Sequence, residues 1–339
     1  MFINCLNNII RHSSYQFSSQ YLLNKSKQKL ILPFYHTVSN NELIHIKHLY
    51  RVKNTKEFIK DLDFLLSLFE PINIDTLYDI SNGRYTIKKP VFLLSFDDGL
   101  KEVYENIAPI LLSKGIPAAF FINSDFIDNK NLFFRYKASL IINEITNSSK
   151  KKSLASEEYS KHLSPINPSN LSAEILKIKY NNQYILDKIA DSISLSFHEY
   201  LQAEQPYLNS NQINELLLKG FDIGAHSKDH PEYQYINLLD QIEQTKSSVE
   251  FLKDNFKIKK KLFSFPFTDH NVSKTFFEMI KNDIDLSFGC AGQKLDCIIN
   301  HYQRIPFEQL DRSAKQIFND EILRFMIKGL IGKQRILRS

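Results

Sequence analysis

The sequence predicts an α/β protein built on a parallel sheet, either open or closed into a (β/α) barrel. Short apolar runs of strand length alternate with longer amphipathic helical stretches from residue 29 to residue 310. Two such runs joined by a helical crossover of about twenty residues form a βαβ unit. With 339 residues, 43% of them hydrophobic, the chain is long enough for one large domain with an insertion, or for two small domains.

The first half of the chain supplies three of the predicted strands. The run KLILPFYHTV predicts a short buried strand that ends near His36. Asn54 and Glu57 form a capping box, and apolar residues at helical spacing follow them. The run VFLLSF, residues 91–96, predicts a fully buried strand. The helical stretch after it ends at Gly115, a suitable C-terminal cap, and IPAAFFI predicts the next parallel strand.

The second half resumes the alternation after an interruption. Residues 125–209 contain helical patterns and no clear strand, so we interpret them as a helical insertion. The order then continues with helix INELLLKG, strand FDIGA, a helix over roughly 238–254, strand KLFSF, helix KTFFEMIKN and strand IDLSFG. This pattern predicts an N-terminal extension (1–28), a barrel (29–310) and a basic helical tail (311–339).

The tail has two interpretations. Its stretch EILRFMIKGLIGKQRILRS carries five bases and one acid, with apolar residues at roughly helical spacing. We favour a helix packed on the barrel with a solvated basic face. A helix that lies on a membrane surface remains the alternative.

Composition and charge exclude several classes of protein. The net charge of +5 is small and spread along the chain, which argues against a nucleic-acid partner. The three cysteines, Cys5, Cys290 and Cys297, are an odd number without zinc-finger spacing, which argues against a disulfide framework, so a reducing compartment fits them better. No run of about 18 apolar residues and no secretory pattern occurs, and we expect a cytoplasmic protein.

Polar side chains follow three of the predicted strands at the point where each strand ends. SFDDG places Asp97 and Asp98 there, AHSKDH places His226 and His230, and SFPF covers residues 264–267. In barrels and open parallel sheets alike, the catalytic crevice lies at the carboxyl ends of the strands. The three segments are therefore expected to face one cleft.

These residue types suit a catalytic metal site. Two imidazoles four residues apart can lie on one face of a helical turn and bind one cation, and a carboxylate from another strand would complete a three-ligand site. The second carboxylate of the pair is then free to accept a proton from water. Each segment alone has a structural explanation, as a turn, a surface pair or packing around proline. Their joint occurrence favours the metal site.

With these motifs the chain resembles the polysaccharide deacetylases of carbohydrate esterase family 4, which share the NodB homology domain. The first motif of that family is similar to SFDDG, which makes Asp97 the catalytic base and Asp98 a metal ligand. Its second motif, His-Ser/Thr-x-x-His, is similar to the segment from His226 to His230 and supplies two more ligands. The third motif corresponds to residues 264–267.

The resemblance implies a distorted (β/α) barrel with fewer than eight strands. It also implies one divalent metal ion, usually zinc, with nickel, cobalt or manganese as alternatives. Metal-bound water, deprotonated by Asp97, would attack the carbonyl carbon of an N-acetyl group. The metal and the backbone N–H of Phe267, which follows Pro266, would hold the oxyanion.

The chain departs from the family pattern at two points. The third motif usually begins with an arginine that orients the base, but Ser264 stands there, and Arg304 is the candidate replacement. The late Leu-x-His that protonates the leaving amine is absent, with His270 and His301 as candidate substitutes. We place the general acid at His36, because a branch of the family that acts on exopolysaccharides has a similar early Tyr-His segment.

The function expected from this pattern is removal of N-acetyl groups from an amino sugar, an oligosaccharide or a polysaccharide. Removal of another acyl group such as formyl, or hydrolysis of a different amide, would use the same chemistry. A carbohydrate-binding relative without turnover is the alternative of another class. The insertion could line the substrate cleft or serve as a scaffold.

Overall fold

The structure, a computed structural model, describes residues 16–308 and 312–338. Its main feature is a parallel sheet of eight assigned strands. In chain order these are β1 Pro33–Tyr35, β2 Leu94–Phe96, β3 Ala118–Ile122, β4 Asp222–Ala225, β5 Leu262–Ser264, β6 Leu286–Gly289, β7 His301–Gln303 and β8 Ile305–Pro306. Their order across the sheet is β7-β6-β5-β4-β3-β2-β1-β8, and every neighbouring pair is parallel.

The sheet closes into a barrel through its last segment. β7 and β8 are separated only by Arg304, yet β7 pairs with β6 while β8 pairs with β1. One continuous stretch, residues 301–306, thus joins the two edges of the sheet. If β7 and β8 are counted as one strand with a break at Arg304, the barrel has seven strands. The predicted (β/α) barrel is confirmed.

Two of the predicted strands are each split in two. Leu30–Ile31 and Val91–Phe92 pair with each other, and Val91–Phe92 also pairs with Glu70–Pro71 in a small separate sheet. The side chains of Leu32 and Leu93, at the two breaks, join an apolar cluster beside this small sheet. A continuous apolar run in the sequence does not reveal such a change of partner, because both halves are buried.

Helices surround the barrel, as the alternating pattern predicts. Asn54 caps the helix Thr55–Leu68 by accepting from Glu57 N at 2.9 Å, and Glu57 accepts in return from Asn54 N, so the capping box is confirmed. Val103–Ile107 is a π-helix, and Tyr233–Tyr235 is a 3₁₀ turn. In the described part of the chain, the other helices outside residues 125–209 are Ser19–Ser26, Ile74–Ser81, Ala108–Lys114, Ser210–Leu218, Leu238–Asn255, Lys274–Ile280 and Ala314–Leu330.

Residues 125–209 are helical and contain no strand. Their helices pack around an apolar cluster of their own, which is distinct from the barrel core. The α-helices are Phe134–Thr146, Ser149–His162, Leu171–Ile175, Tyr184–Ser192 and Phe197–Glu204, and the 3₁₀ turns are Ser124–Asn129, Pro168–Asn170 and Tyr180–Asn182. The segment joins β3 to β4 and therefore begins at the carboxyl end of a barrel strand.

The two ends of the described chain meet on one side of the barrel. The helix Ser19–Ser26 packs on the helix Ala314–Leu330, which also packs on Thr55–Leu68. The tail is only partly helical, because Arg335–Ile336 is extended and pairs in parallel with Leu295–Asp296.

The first part of the N-terminal extension, Cys5 included, lies outside the described residues, as does the start of the tail. Cys290 and Cys297 are free thiols. None of the helices in the described part of the chain has the length and apolar character needed to span a bilayer.

Candidate active site

The structure brings three of the predicted site residues together at the carboxyl ends of the strands. Asp98 follows β2, and His226 follows β4. One ligand atom from each of Asp98, His226 and His230 lies within 4.8 Å of the other two. Asp98 Oδ1 is 3.2 Å from His230 Nε2 and 3.5 Å from His226 Nε2. All three side chains are buried.

The two histidines converge through a loop, which differs from the helical turn that their spacing allows. No helix is assigned between residues 226 and 232. Ser227 and His230 both have left-handed backbone conformations, with φ of 67° and 65°. Ser227 Oγ accepts a hydrogen bond from His230 N at 3.0 Å. Ser227 therefore has a structural role, because this hydrogen bond stabilises the loop in which His230 faces Asp98.

The donor set of this cluster fits a divalent cation. His226 Nδ1 donates to the carbonyl oxygen of Ser264 at 2.8 Å, so its Nε2 carries the lone pair that faces Asp98. Asp98 Oδ1 is buried and has no hydrogen-bond partner among the described residues. Two imidazole nitrogens and one carboxylate oxygen form a typical catalytic zinc set, with positions left for water and substrate.

Protonation states favour the same interpretation. Burial lowers the pKa of His226 to about 4, although Asp97 and Asp98 oppose this shift, so the ring is neutral at physiological pH. Burial alone would raise the pKa of Asp98, but the neighbouring histidines outweigh it and hold the pKa well below its usual range. A neutral imidazole and an ionised carboxylate are the forms that bind metal.

Asp97 lies beside this cluster and makes a two-pronged ion pair with Arg304. Arg304 Nη1 donates to Asp97 Oδ1 at 2.8 Å, and Nη2 donates to Oδ2 at 2.7 Å. The guanidinium is fully buried and also donates to the hydroxyls of Ser264 at 2.6 Å and Ser95 at 3.0 Å. Burial would raise the pKa of Asp97, but Arg304 above all keeps it below the ordinary value. Asp97 is therefore ionised and able to accept a proton.

His36 pairs with an acidic residue that sequence reasoning missed. Its Nδ1 is 2.7 Å from Glu308 Oε2, and the other Glu308 oxygen accepts from Thr37 N at 3.0 Å. Burial would lower the pKa of His36, but the charge of Glu308, together with Asp98 and Asp97, raises it to about 10. The ring keeps 29% of its surface exposed. Glu308 follows the closing segment, and an acid two residues beyond that strand end was the signal available in the sequence.

The two alternative histidines lie elsewhere. His301 is buried with both ring nitrogens engaged, Nδ1 with Ser287 Oγ at 2.8 Å and Nε2 with Asp269 Oδ2 at 3.0 Å. His270 is exposed in the loop after β5. Among the residues that the structure describes, neither forms a hydrogen bond with Asp97.

The third motif places the ring of Phe267 next to that of His230. Phe267, which follows the buried Pro266, has a left-handed φ of 54°, and its ring centroid is 4.7 Å from that of His230. Its carbonyl accepts from Cys290 Sγ at 2.7 Å. The described residues offer no acceptor for the Phe267 N–H. The side chain is 39% exposed at the edge of the cluster.

The helical insertion contributes to the same cluster. Tyr136 OH, on the helix Phe134–Thr146, donates to Asp98 Oδ2 at 2.9 Å. The ring of Phe133 packs 4.3 Å from that of His230. Sequence reasoning missed both residues, because nothing in the local pattern of residues 125–209 indicates where the insertion folds back.

A second group of metal-binding residue types, Asp269, Asp296 and His301, is filled by donors of the chain itself. Arg338 and Gln303 both donate to the two carboxylates of this group. We therefore interpret it as an ion-pair network.

Comparisons with known proteins identify the family and the fold. A family model described as polysaccharide deacetylase matches residues 84–280, more than half of the chain. A deacetylase of Streptococcus pyogenes, PplD, solved in complex with acetate, is 12% identical, with a TM-score of 0.55 over 86% of this chain and 98% of that one. IcaB from Ammonifex degensii is 16% identical, with a TM-score of 0.53 over 87% and 97%.

A de-N-acetylase from Aggregatibacter actinomycetemcomitans is 15% identical, with a TM-score of 0.51 over 85% of this chain and 99% of that chain. At such identities these likenesses establish the fold. No curated protein sequence matches the chain significantly.

Proposed function

Because the chain belongs to the polysaccharide deacetylase family, we propose that it is a metal-dependent hydrolase that removes N-acetyl groups from an amino sugar within an oligosaccharide or polysaccharide. One observation carries the proposal. Ligand atoms of the buried residues Asp98, His226 and His230 lie close together, Asp98 Oδ1 has no hydrogen-bond partner among the described residues, and an ionised second carboxylate, Asp97, lies beside them. This combination suits hydrolysis of an amide bond at neutral pH.

Asp98, His226 and His230 would hold the metal. When bound there, a divalent ion such as zinc supplies a Lewis acid that polarises the amide carbonyl and lowers the pKa of water. Tyr136 supports this role, since its hydroxyl holds Asp98 Oδ2 and leaves Oδ1 facing the histidines. Hydrogen bonds of this kind orient the ligands of a metal.

Asp97 is the proposed general base. It would take the proton of the attacking water, and Arg304 keeps the carboxylate ionised and fixed in orientation. A guanidinium suits this task, because its two parallel N–H groups match both carboxylate oxygens and it remains charged at any pH relevant here. Arg304 would thus replace the arginine that the family usually has at the position of Ser264.

His36 is the proposed general acid. The leaving amine needs a proton as the C–N bond breaks, and the ion pair with Glu308 keeps the imidazole protonated for that purpose. Glu308 occupies Nδ1 of the partly exposed side chain, which leaves Nε2 for the substrate. The Phe267 N–H would donate to the oxyanion that forms during attack.

Two alternatives share parts of this geometry. A deformylase or another amide hydrolase would use the same catalytic groups. Such an enzyme would differ from the proposed deacetylase only in the acyl group and the substrate that it binds. A carbohydrate-binding relative without turnover was suggested by the missing arginine and late histidine of the family motifs. We prefer the hydrolase, because Arg304 contacts Asp97 and His36 is paired with an acid.

Release of acetate tests the proposal. Oligomers of N-acetylglucosamine with different linkages, and matched N-formyl oligomers, should be incubated with the protein in three states: metal-loaded, chelated and reloaded with zinc. We expect acetate only from the metal-loaded states, and the Asp97→Asn variant should bind metal without turnover. Faster release of formate than of acetate would favour the deformylase. Metal binding with no turnover of any acylated oligomer would contradict the hydrolase.

A further inference from the structure

Arg338 is an arginine with a buried side chain near the end of the described chain. Its side chain is 3% exposed, and its Nε and Nη2 donate to the two oxygens of Asp296 at 3.1 and 2.7 Å. Nη2 also bonds Asp269 Oδ2, and the guanidinium lies 4.7 Å from the ring centroid of Phe277. Pairing of Arg335–Ile336 with Leu295–Asp296 brings the tail to this position.

The same guanidinium binds the loop that follows β5. Its Nη1 donates to the backbone carbonyls of Asp269 at 3.0 Å and Val272 at 3.2 Å. Arg338 therefore contacts segment 266–272 through both a side chain and the backbone. Asp269 itself is also bonded by Gln303 Nε2 at 2.7 Å and by His301.

Asp269 has no room to move toward the barrel. A Cβ atom on Gly289, in β6, would lie 2.5 Å from Asp269 Oδ1 and 2.6 Å from the Gln303 amide nitrogen. Glycine at this position thus lets the carboxylate dock against the strand. Asp269 is held by the barrel on one side and by Arg338 on the other.

Phe267 lies two residues before Asp269 in this segment. Its φ of 54° is unusual for a bulky side chain, and such conformations persist only where the surroundings enforce them. The hydrogen bonds from Arg338 to the carbonyls of Asp269 and Val272 restrain the backbone on the C-terminal side of Phe267. Loss of Arg338 would also leave the buried carboxylates of Asp269 and Asp296 without their cation.

We propose that Arg338 is a positioning residue of the active site. By binding segment 266–272 it holds the Phe267 N–H where the oxyanion forms. This inference rests on the proposed function for the role of Phe267. It predicts an effect on turnover, with little effect on metal binding, because Arg338 contacts no proposed metal ligand.

The test compares Arg338→Ala with Arg335→Ala, an exposed arginine of the same tail. We expect Arg338→Ala to lower kcat about 10- to 100-fold, since a displaced oxyanion donor approaches a deleted one in effect. KM and bound zinc should stay close to wild type, and amide hydrogen exchange in 266–272 should become faster. Arg338→Lys should recover part of kcat. Arg335→Ala should match wild type in all four measurements.

A second variant covers the case in which Arg338→Ala does not fold. The double variant Asp296→Asn/Arg338→Gln removes the cation and one carboxylate together, so it leaves less unbalanced charge in the interior. Wild-type kcat and wild-type exchange in 266–272 in this variant would overturn the proposal.

Hydrogen exchange also separates this inference from the proposed function. If the wild-type protein releases no acyl group, the proposed function fails, and the exchange of 266–272 in the Arg338 variants still decides whether Arg338 holds this segment, which is the part of the inference that does not depend on turnover. Faster exchange there, with that of Arg335→Ala unchanged, supports it. Unchanged exchange in every variant overturns it.

Discussion

Replacement of Arg304 by methionine tests how the proposed base is kept ionised. Methionine has a similar length but no charge, so Asp97, which is 2% exposed, would lose both of its short hydrogen bonds. Removal of one partner from a buried ion pair costs about 3–5 kcal/mol of folding stability when the other charge stays uncompensated. Asp97 can avoid much of this cost by taking up a proton, which would remove its capacity to act as a base.

The pH dependence follows from this change in the pKa of Asp97. In the wild-type protein the pKa is depressed, so the contribution of the ion pair to stability is present above the ordinary carboxyl pKa and is lost as the pH falls through the folded value. Without Arg304, burial dominates and raises the pKa. The stability difference between wild type and Arg304→Met should therefore shrink on acidification, and the acid limb of kcat/KM should move to higher pH.

The size of the kinetic effect should depend on the two parallel hydrogen bonds between Arg304 and Asp97. Arg304→Lys keeps the charge but cannot make two parallel bonds, and loss of one charged hydrogen bond, about 1.5–3 kcal/mol, corresponds to roughly a 10- to 150-fold lower kcat. Arg304→Met should lose about 10²- to 10⁴-fold, as expected for a disabled general base. Initial rates of acetate release from pH 5 to 10, with zinc content measured on each sample, provide the assay.

A matched control is Ser264→Ala, which removes one acceptor of Arg304 and leaves both bonds to Asp97 in place. It should cost less in kcat than Arg304→Lys, because the charge of Arg304 and both of its bonds to Asp97 remain. Wild-type kcat and an unshifted acid limb in Arg304→Met would refute the reasoning.

Four further outcomes are expected. Alanine at any one of the three proposed metal ligands should remove most bound zinc, measured by elemental analysis, whereas Asp97→Asn should retain zinc and lose about 10²- to 10⁴-fold in kcat; the opposite pattern would exchange these roles. His36→Gln should keep fold and metal but lower kcat strongly, and near-normal turnover would remove it as the acid. Glu308→Gln should lower the pKa of His36 and move the alkaline limb of the pH profile to lower pH; an unmoved limb would contradict the pairing. Tyr136→Phe should weaken zinc binding about 10- to 100-fold in chelator competition through loss of its bond to Asp98, and unchanged affinity would make that bond dispensable.

The sequence predicted the barrel and the meeting of the main site segments for one physical reason. Parallel strands share their carboxyl ends, so residues that follow β2, β4 and β5 meet once the alternation is recognised. Arg304 was found through the family resemblance, because the arginine that usually orients the base is absent at Ser264 and Arg304 lies near the last strand. The roles of these residues remain predictions, although their proximity is a property of the fold.

Other features depend on tertiary packing that local patterns do not reveal. The helix Ser19–Ser26 is polar on average and is supported by the helix Ala314–Leu330. Tyr136 reaches Asp98 only because the insertion folds back over the cleft. Arg338 belongs to a basic stretch that suggests a solvated face, yet it is buried against two carboxylates from distant parts of the chain.

The closing segment has a consequence for synthesis on the ribosome. Arg304 and Glu308 stand 207 and 272 positions after their partners Asp97 and His36. A nascent chain therefore exposes the proposed base and acid long before either has its counter-charge, and the edge of β1 that pairs with β8 stays open for a similar interval. We therefore expect activity to appear in one late step. In that step the last strand joins the sheet, and Asp97 and His36 gain the partners that set their protonation states.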